Sequence, residues 1–207
     1  MKFIAYLFVC AWVSLASASP AVDYFRAINV DDDHSVKALL AAGFDPNTTD
    51  PQGQVGIYLA MREESNKVAA VLIAQPTLKV DAANTAGETA LMMAALRGNL
   101  VWTQRLLERG AALNREGWTP LHYAASGPGL EVVKFLVERG ANINAPSPNR
   151  STPLMMASRY GAWDSAEWLL ERGANVRLLN DRSLGAVDFA RAAGRDGLVK
   201  RMEQLTR

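Results

Sequence analysis

The stretch GWTPLHYAA at residues 117–125 decides how this chain folds, because weaker copies of it recur every 30 to 34 residues. TALMMAA precedes it at residues 89–95, and TPLMMAS follows it at residues 152–158. Fainter copies are VGIYLA at residues 55–60 and GAVDFA at residues 185–190. Self-similarity at this period is the signature of a solenoid in which similar units stack on one another.

A second signature follows the three strongest copies, as LLERGA at residues 106–111, FLVERGA at 135–141 and LLERGA at 169–174. Together with the TPLHxA core of residues 119–124, it resembles the ankyrin repeat. The resemblance implies an all-α repeat fold, an ankyrin-repeat solenoid of about six helix-turn-helix units with short β-hairpin or loop fingers. It also implies that the chain binds a protein partner through a concave face made by the fingers and first helices.

Alignment of the copies divides the chain into a leader, residues 1–18, and one repeat domain, residues 19–207. The predicted units occupy residues 21–47, 48–81, 82–114, 115–144, 145–177 and 178–207. Six units exceed the three or so that a solenoid needs to bury a shared core.

The strong units carry the residues that begin and end helices. Thr89, Thr119 and Thr152 stand where an N-cap hydroxyl accepts a hydrogen bond from the first turn. Pro120 and Pro153 follow at the first helical position, where proline is favoured. Glycine stands just past each second helix, where a left-handed residue is favoured; these glycines are Gly110, Gly140 and Gly173.

Apolar spacing assigns the core. Val132, Val133 and Leu136 share one face of the second helix of unit four. The tryptophans that take comparable slots in units three and five are expected in the core as well; they are Trp102, Trp163 and Trp168.

Two fingers depart from the common pattern. The finger before Thr119 is three residues shorter than usual, which predicts a notch beside Trp118, between units three and five. The fifth finger, residues 145–151, contains Pro146 and Pro148 and no glycine. Because proline removes a backbone donor, we expect a stiff loop there and not a regular hairpin.

The leader has the pattern of a secretory signal peptide. Lys2 is its only charge, residues 3–13 are apolar, and small residues follow up to Ala18. We expect cleavage after Ala18 and a periplasmic or secreted protein, in a Gram-negative envelope. The apolar run is shorter than the roughly 20 residues of a membrane span, so no membrane insertion is expected after its removal. Cys10 leaves with the leader, so the mature chain has no disulfide.

Composition and motifs argue against catalysis, cofactors and metals. A formal net charge of +1 offers no electrostatic footprint for nucleic acid. Only His34 and His122 could supply imidazole, too few for a zinc site without cysteine. The resemblance gives His122 a structural role, because the motif histidine of ankyrin repeats bonds loop backbone. Residues 31–33, DDD, lack the ligand spacing of a calcium loop, and no catalytic motif is present. We expect a protein that is not an enzyme.

A partner-binding set follows from the slots that face a partner in the ankyrin family. It contains tryptophan, tyrosine and arginine, the residue types enriched in interface hot spots. In one interpretation Trp118 anchors the partner between Arg97, Arg159 and Tyr160; in the other, Trp118 only packs on its neighbouring finger. The chain is expected to be a monomer. The full set is Trp118, Arg97, Arg159, Tyr160, Arg62, Glu88 and Leu96.

The resemblance leaves the biological role open. Some exported bacterial relatives look like immunity factors that block a cell-wall-cleaving enzyme or toxin, and others support a periplasmic enzyme such as catalase. One alternative is a secreted effector directed at a host. The alternative from a different functional class is an enzyme, a periplasmic hydrolase. Asn47 and Asn149 begin glycosylation acceptor patterns, which matter only in a eukaryotic secretory pathway.

Overall fold

The computed structural model describes residues 19–206, so the predicted signal peptide lies outside the described residues. Within that range twelve α-helices form six consecutive pairs, and only two isolated β-bridges occur there. The first helices are α1 (Pro20–Asn29), α3 (Gly56–Arg62), α5 (Ala90–Leu96), α7 (Pro120–Ser126), α9 (Pro153–Arg159) and α11 (Ala186–Ala192). The second helices are α2 (Asp33–Ala41), α4 (Asn66–Ile73), α6 (Leu100–Glu108), α8 (Leu130–Glu138), α10 (Trp163–Glu171) and α12 (Asp196–Thr206). The all-α repeat prediction is confirmed.

Local signals at the helix ends work as the sequence predicts. The Thr89 hydroxyl accepts a hydrogen bond from the Met92 amide at 3.4 Å, and Thr152 does the same for Met155. The glycines after the second helices adopt left-handed conformations, with φ of 97° at Gly110 and similar values in the other units. Units three and five therefore begin and end these helices through their own residues. Other units differ, because the Thr119 hydroxyl lies 2.8 Å from the His122 Nδ1 instead and no glycine follows α4.

Consecutive first helices pack on one another from α1 to α11, and second helices stack in a parallel layer behind them. The core lies between the two layers. Leu136 is fully buried and Trp102 nearly so. The prediction for Trp163 is wrong, because this side chain is 41% exposed. It begins α10 at the edge of the layer, where its ring lies over Gly197 of the last unit.

The buried residues form two clusters that divide within α5. Met93 and Ala94 belong to the N-terminal cluster, whereas Ala95 belongs to the C-terminal one. Leu107 of α6 packs against both.

A ladder of side chains joins the units at the loops after the second helices. The last residue of each of the first four predicted units accepts a hydrogen bond from a backbone amide of the next unit at 2.8 or 2.9 Å. The accepting residues are Asn47, Asp81, Asn114 and Asn144. The Asn47 amide also donates to the Thr77 carbonyl, so a sugar on that nitrogen would disrupt the ladder.

The fifth finger closes like the longer fingers. The Ser147 amide donates to the Ser151 carbonyl at 2.9 Å, as Asp50 does to Gln54 and Asn84 to Glu88. Pro146 and Pro148 have no backbone N–H to donate, but the closing hydrogen bond is donated by Ser147, so neither proline prevents it. No β-bridge is found there within the described residues. Among the described fingers, the proline-free one at Asn84 has no β-bridge either, so the missing bridge does not set the proline-containing finger apart.

The loops within the helix pairs differ between units. In four units the middle loop residue adopts a left-handed conformation, at Asp31, Glu64, Gly98 and Gly194. Units four and five have Pro128 and Gly161 at that position, and neither is left-handed. Proline cannot adopt positive φ. These two loops take another path and pack together, with the Ala162 amide donating to the Gly127 carbonyl at 3.3 Å.

Candidate partner-binding site

A cavity of about 210 Å³ opens on the face formed by the fingers and first helices, called the inner face below. It lies beside the shortened finger, where the sequence predicts a notch. Leu96 of α5 and Trp118 of the finger line it. Its other walls come from Tyr123, Ser126 and His122 of α7 and from Met156 of α9.

The size of this cavity limits what it can hold. Pockets for drug-sized ligands are usually about 300–1,000 Å³, whereas an apolar cavity of about 150 Å³ holds benzene. Its walls are mostly apolar, and the Ser126 hydroxyl already donates to the His122 carbonyl at 2.9 Å. The cavity therefore suits one bulky apolar side chain.

His122 forms the rigid floor of the cavity. Its Nε2 lies 3.0 Å from the Ser151 carbonyl, and its Nδ1 accepts from the Thr119 amide at 3.2 Å. The Trp118 ring meets the imidazole edge to face, with centroids 5.2 Å apart. Both ring nitrogens are thus used by the scaffold, as the resemblance implied. Burial lowers the pKa of the imidazole, so His122 is neutral.

Neutral His122 predicts a pH-dependent stability. The unfolded chain has an imidazole pKa of about 6.5. The stability contribution is complete above that value and is lost as the pH falls through the lowered folded pKa, because the unfolded chain binds the proton first. The change His122→Met, which copies the residue at the same slot in α9, should reduce the loss of melting temperature between about pH 7.5 and 5. Met155→Leu is the control and should keep the wild-type loss; equal losses in wild type and His122→Met would contradict the assignment.

Glu88 ties three units together beside the cavity. One carboxylate oxygen accepts from the Tyr58 hydroxyl and the Asn84 amide, both at 2.8 Å, and the other accepts from the Tyr123 hydroxyl at 2.9 Å. Burial acts to raise the pKa of Glu88, but these three hydrogen bonds outweigh it, and the pKa lies below its usual range. Burial and the bond to Glu88 raise the pKa of Tyr58 to about 12. The ionised carboxylate of Glu88 therefore fixes, through its hydrogen bond, the position of the Tyr123 side chain that lines the cavity.

The arginines of the predicted set line the edges of the inner face. Arg97 donates to the Arg62 carbonyl at 2.6 Å and lies 3.6 Å from Glu64. Arg62 is paired with Glu63 at 2.6 Å. The Arg159 guanidinium lies 5.4 Å above the ring of Tyr160, which is 57% exposed.

The structure thus brings Leu96 and Trp118 into the cavity and places Glu88 against its Tyr123 wall. Arg159 stands one turn beyond Met156 on α9, while Arg62 and Arg97 stay with α3 and α5. A partner-binding role for these residues stays a prediction. The sequence analysis missed Tyr123 and Met156, which also line the cavity. Each is the fourth residue of its first helix, α7 or α9, and this shared position could have indicated that both face the same surface.

Three overlapping matches to the family model described as ankyrin repeats (3 copies) cover residues 25–116, 76–147 and 103–180. The chain belongs to the ankyrin-repeat family. Ankyrin repeats mediate protein–protein interactions, and the family is generally non-catalytic.

Two curated relatives show how widely these repeats are used. The chain is 33% identical over 133 residues to the B-cell lymphoma 3 protein homolog of Mus musculus, covering 61% of this chain and 30% of that protein. It is 27% identical over 188 residues to the transient receptor potential cation channel subfamily A member 1 of Homo sapiens, covering 87% of this chain and 17% of the channel. The ankyrin-repeat chain thus spans less than a third of either relative.

A solved structure shares the fold along most of the chain. It is the complex of a predatory endopeptidase from Bdellovibrio bacteriovorus with an immunity protein. The match has a TM-score of 0.74 at 23% identity and covers 88% of this chain and 97% of the matched one. At this identity the likeness shows a common ankyrin-repeat architecture.

A larger depression, of about 880 Å³, lies at the N-terminal end of the ankyrin array. Phe25 and Val22 of α1 line it on one side, and the finger at Asp50 and Gln54 lines it on the other. It is formed between α1 and the finger of the second unit.

Clusters of metal-ligating side chains and helices able to cross a membrane are both absent from the described residues. Among residues 19–206, no group of three or more His, Cys, Asp or Glu side chains could hold a metal ion. No helix in the same range is long and apolar enough to cross a membrane.

Proposed function

We propose that this ankyrin-repeat protein is exported and binds a protein partner through its inner face, acting as an immunity or inhibitor factor for a peptidase of the cell envelope. The observation that carries the proposal is the apolar cavity beside Trp118, which is open and sized for one side chain. Its walls come from three successive units, so a partner that fills it would be gripped by a rigid array.

The inhibitor role is supported by the fold shared with the endopeptidase–immunity protein complex, because the match extends over nearly the whole of the matched chain.

Export is supported by the position of the first helix. Ser19 caps α1 by accepting a hydrogen bond from the Val22 amide at 3.4 Å. Cleavage after Ala18 would leave this cap intact. The mature chain would also fold without cysteine. Cell fractionation with N-terminal sequencing should find a periplasmic or secreted protein that begins at Ser19; a cytoplasmic chain with its leader intact would refute export.

Partner binding is tested with the double variant Trp118→Ala/Arg159→Ala. The mature chain should retain one peptidase from an envelope extract and inhibit its hydrolytic activity. The double variant should bind that partner at least about 100-fold more weakly, because truncating central hot-spot residues costs 2 kcal/mol or more each. Titration calorimetry with the purified partner gives both affinities.

Arg172→Ala is the matched control, since Arg172 stacks on Trp168 of a second helix at 4.7 Å, away from the inner face. It should bind like the wild type. If the double variant keeps its affinity within about threefold, the inner-face site is wrong. A partner that is bound without loss of its activity would make the protein an accessory factor instead.

A further inference from the structure

We infer that the partner inserts one bulky apolar side chain into the cavity and places a carboxylate, two residues away in an extended segment, on Arg159. The inference rests on the proposed partner-binding function and names the chemistry of the segment that makes the contact.

The apolar half of the inference follows from the walls of the cavity. Leu96 and Met156 are apolar, Trp118 contributes an aromatic ring, and the hydroxyl of Tyr123 already donates to Glu88. A polar side chain inserted here would lose water without gaining a partner, which costs about 1–3 kcal/mol. An aromatic or aliphatic side chain gains contacts, and a methionine wall adapts to its shape.

The acidic half follows from the distribution of charge around the cavity. On the side of unit three the cavity has an acidic neighbour, Glu88, whose carboxylate accepts three hydrogen bonds from side chains. On the side of unit five, the finger and α9 span residues 145–159 and contain Arg150 and Arg159 but no acidic residue. In the described chain neither of these two arginines has a carboxylate within 4.0 Å, whereas Arg62 and Arg97 both do. The unit-five side of the cavity therefore has positive charge and no acidic residue of its own, whereas the unit-three side has Glu88.

Arg159 is placed to bind that carboxylate. It follows Met156 by three positions on α9, and residues at this spacing lie on one helix face with their β-carbons about 5–6 Å apart. Its stacking on Tyr160 holds the guanidinium over the exposed end of the helix. A guanidinium binds a carboxylate through two parallel hydrogen bonds, whereas a lysine of the partner would be repelled.

The geometry also sets the spacing within the partner. In an extended segment, residues i and i+2 point to the same face and lie about 6.6–6.8 Å apart. Met156 and Arg159 lie on one face of α9, so the two partner residues that they contact are placed on one face of the segment as well. The segment therefore carries its apolar residue and its Asp or Glu two positions apart.

The test uses a display library of random linear 12-residue peptides selected on the mature chain, residues 19–207. The enriched peptides should share a Leu, Ile, Met, Phe or Trp two positions from an Asp or Glu. A synthetic consensus peptide, measured by fluorescence anisotropy, should bind Arg159→Glu at least about tenfold more weakly than wild type. Changing the acidic residue of the peptide to Lys should restore binding to Arg159→Glu to within about threefold of the original pair.

Two further variants separate the cavity from the charge. Ser126→Phe fills the cavity and should weaken the original and the charge-swapped peptide equally. Arg172→Glu, on the second-helix side, should leave both affinities unchanged. Circular dichroism and thermal melting confirm that each variant is folded, and Arg159 is an exposed side chain whose replacement leaves the core intact.

The inference is overturned by a library that enriches no peptide above background, by a consensus that lacks the acidic residue, or by an Arg159→Glu variant that binds like wild type. If the envelope partner is captured and inhibited while the library gives one of these results, the proposed function stands and the inference alone fails. If no envelope partner is captured but the charge swap succeeds, the proposed function fails and the peptide chemistry of the cavity stands.

Discussion

Gly161→Ala is expected to destabilise the protein by about 3 kcal/mol or more. A β-carbon at Gly161 would overlap the backbone carbonyl oxygen of Ala125 and would lie 3.2 Å from the α-carbon of Ala157. Backbone atoms at the end of α7 cannot move aside as a flexible side chain could, so the loop of unit five would have to separate from unit four. Forcing added atoms into packed structure usually costs about 1–3 kcal/mol and more when the backbone must shift.

The matched control for this substitution is Gly173→Ala. Gly173 has a φ of 84° and nothing within 4 Å of its added β-carbon, so alanine there incurs only the left-handed backbone penalty of about 1–2 kcal/mol. Urea unfolding of both variants gives the comparison, with the slope checked for each. A smaller loss for Gly161→Ala than for Gly173→Ala would show that the loop yields to the new methyl group.

Leu136→Ala is expected to lower the free energy of unfolding by about 2–5 kcal/mol. Leu136 lies in the middle of α8, is fully buried, and belongs to the C-terminal core cluster between the two helix layers. Its truncation removes apolar burial and leaves a cavity that stacked helices on both sides cannot easily close.

Val101→Ala provides the comparison for a helix position in contact with solvent. Val101 lies in the first turn of α6 and is 59% exposed, so its truncation should change the stability by less than about 0.5 kcal/mol. Chemical denaturation followed by circular dichroism measures both variants. A loss below about 1 kcal/mol for Leu136→Ala would place this leucine outside the structural core.

The features that sequence predicted well depend on neighbours along the chain. The Thr89 cap and the left-handed Gly110 are settled within one turn of helix, so their residue types suffice. The repeat period then fixes which helices stack, and the notch beside Trp118 follows from the shorter finger. Helix caps are local properties and the stacking order is a periodic one, and both can be identified from a single sequence.

The features that sequence did not predict depend on residues about one repeat apart. Glu88 was expected to face a partner, yet its oxygens also bind Tyr58 and Tyr123 of the adjacent units. Gly161 looks like a conformational glycine, but it is required by the approach of Ala125. Trp163 fits a core slot by alignment, and only the small Gly197 of the last unit shows how its ring is placed. Contacts between adjacent units depend on how each unit is positioned relative to the next, and the residue pattern within one unit does not specify that position.

The division of the core within α5 has a consequence for cooperativity. The two clusters of buried residues define two blocks of the array, joined by the extensive packing of α5 on α7, and in a repeat protein such blocks are candidate units of partial unfolding. Leu96 packs with the N-terminal block, whereas Tyr123 and Met156 pack with the C-terminal one, so the cavity spans the seam between them. A partner side chain inserted there would contact residues of both blocks and so stabilise their packing against each other. We expect the bound protein to resist partial unfolding, and the proteolytic nicking that accompanies it, better than the free protein does.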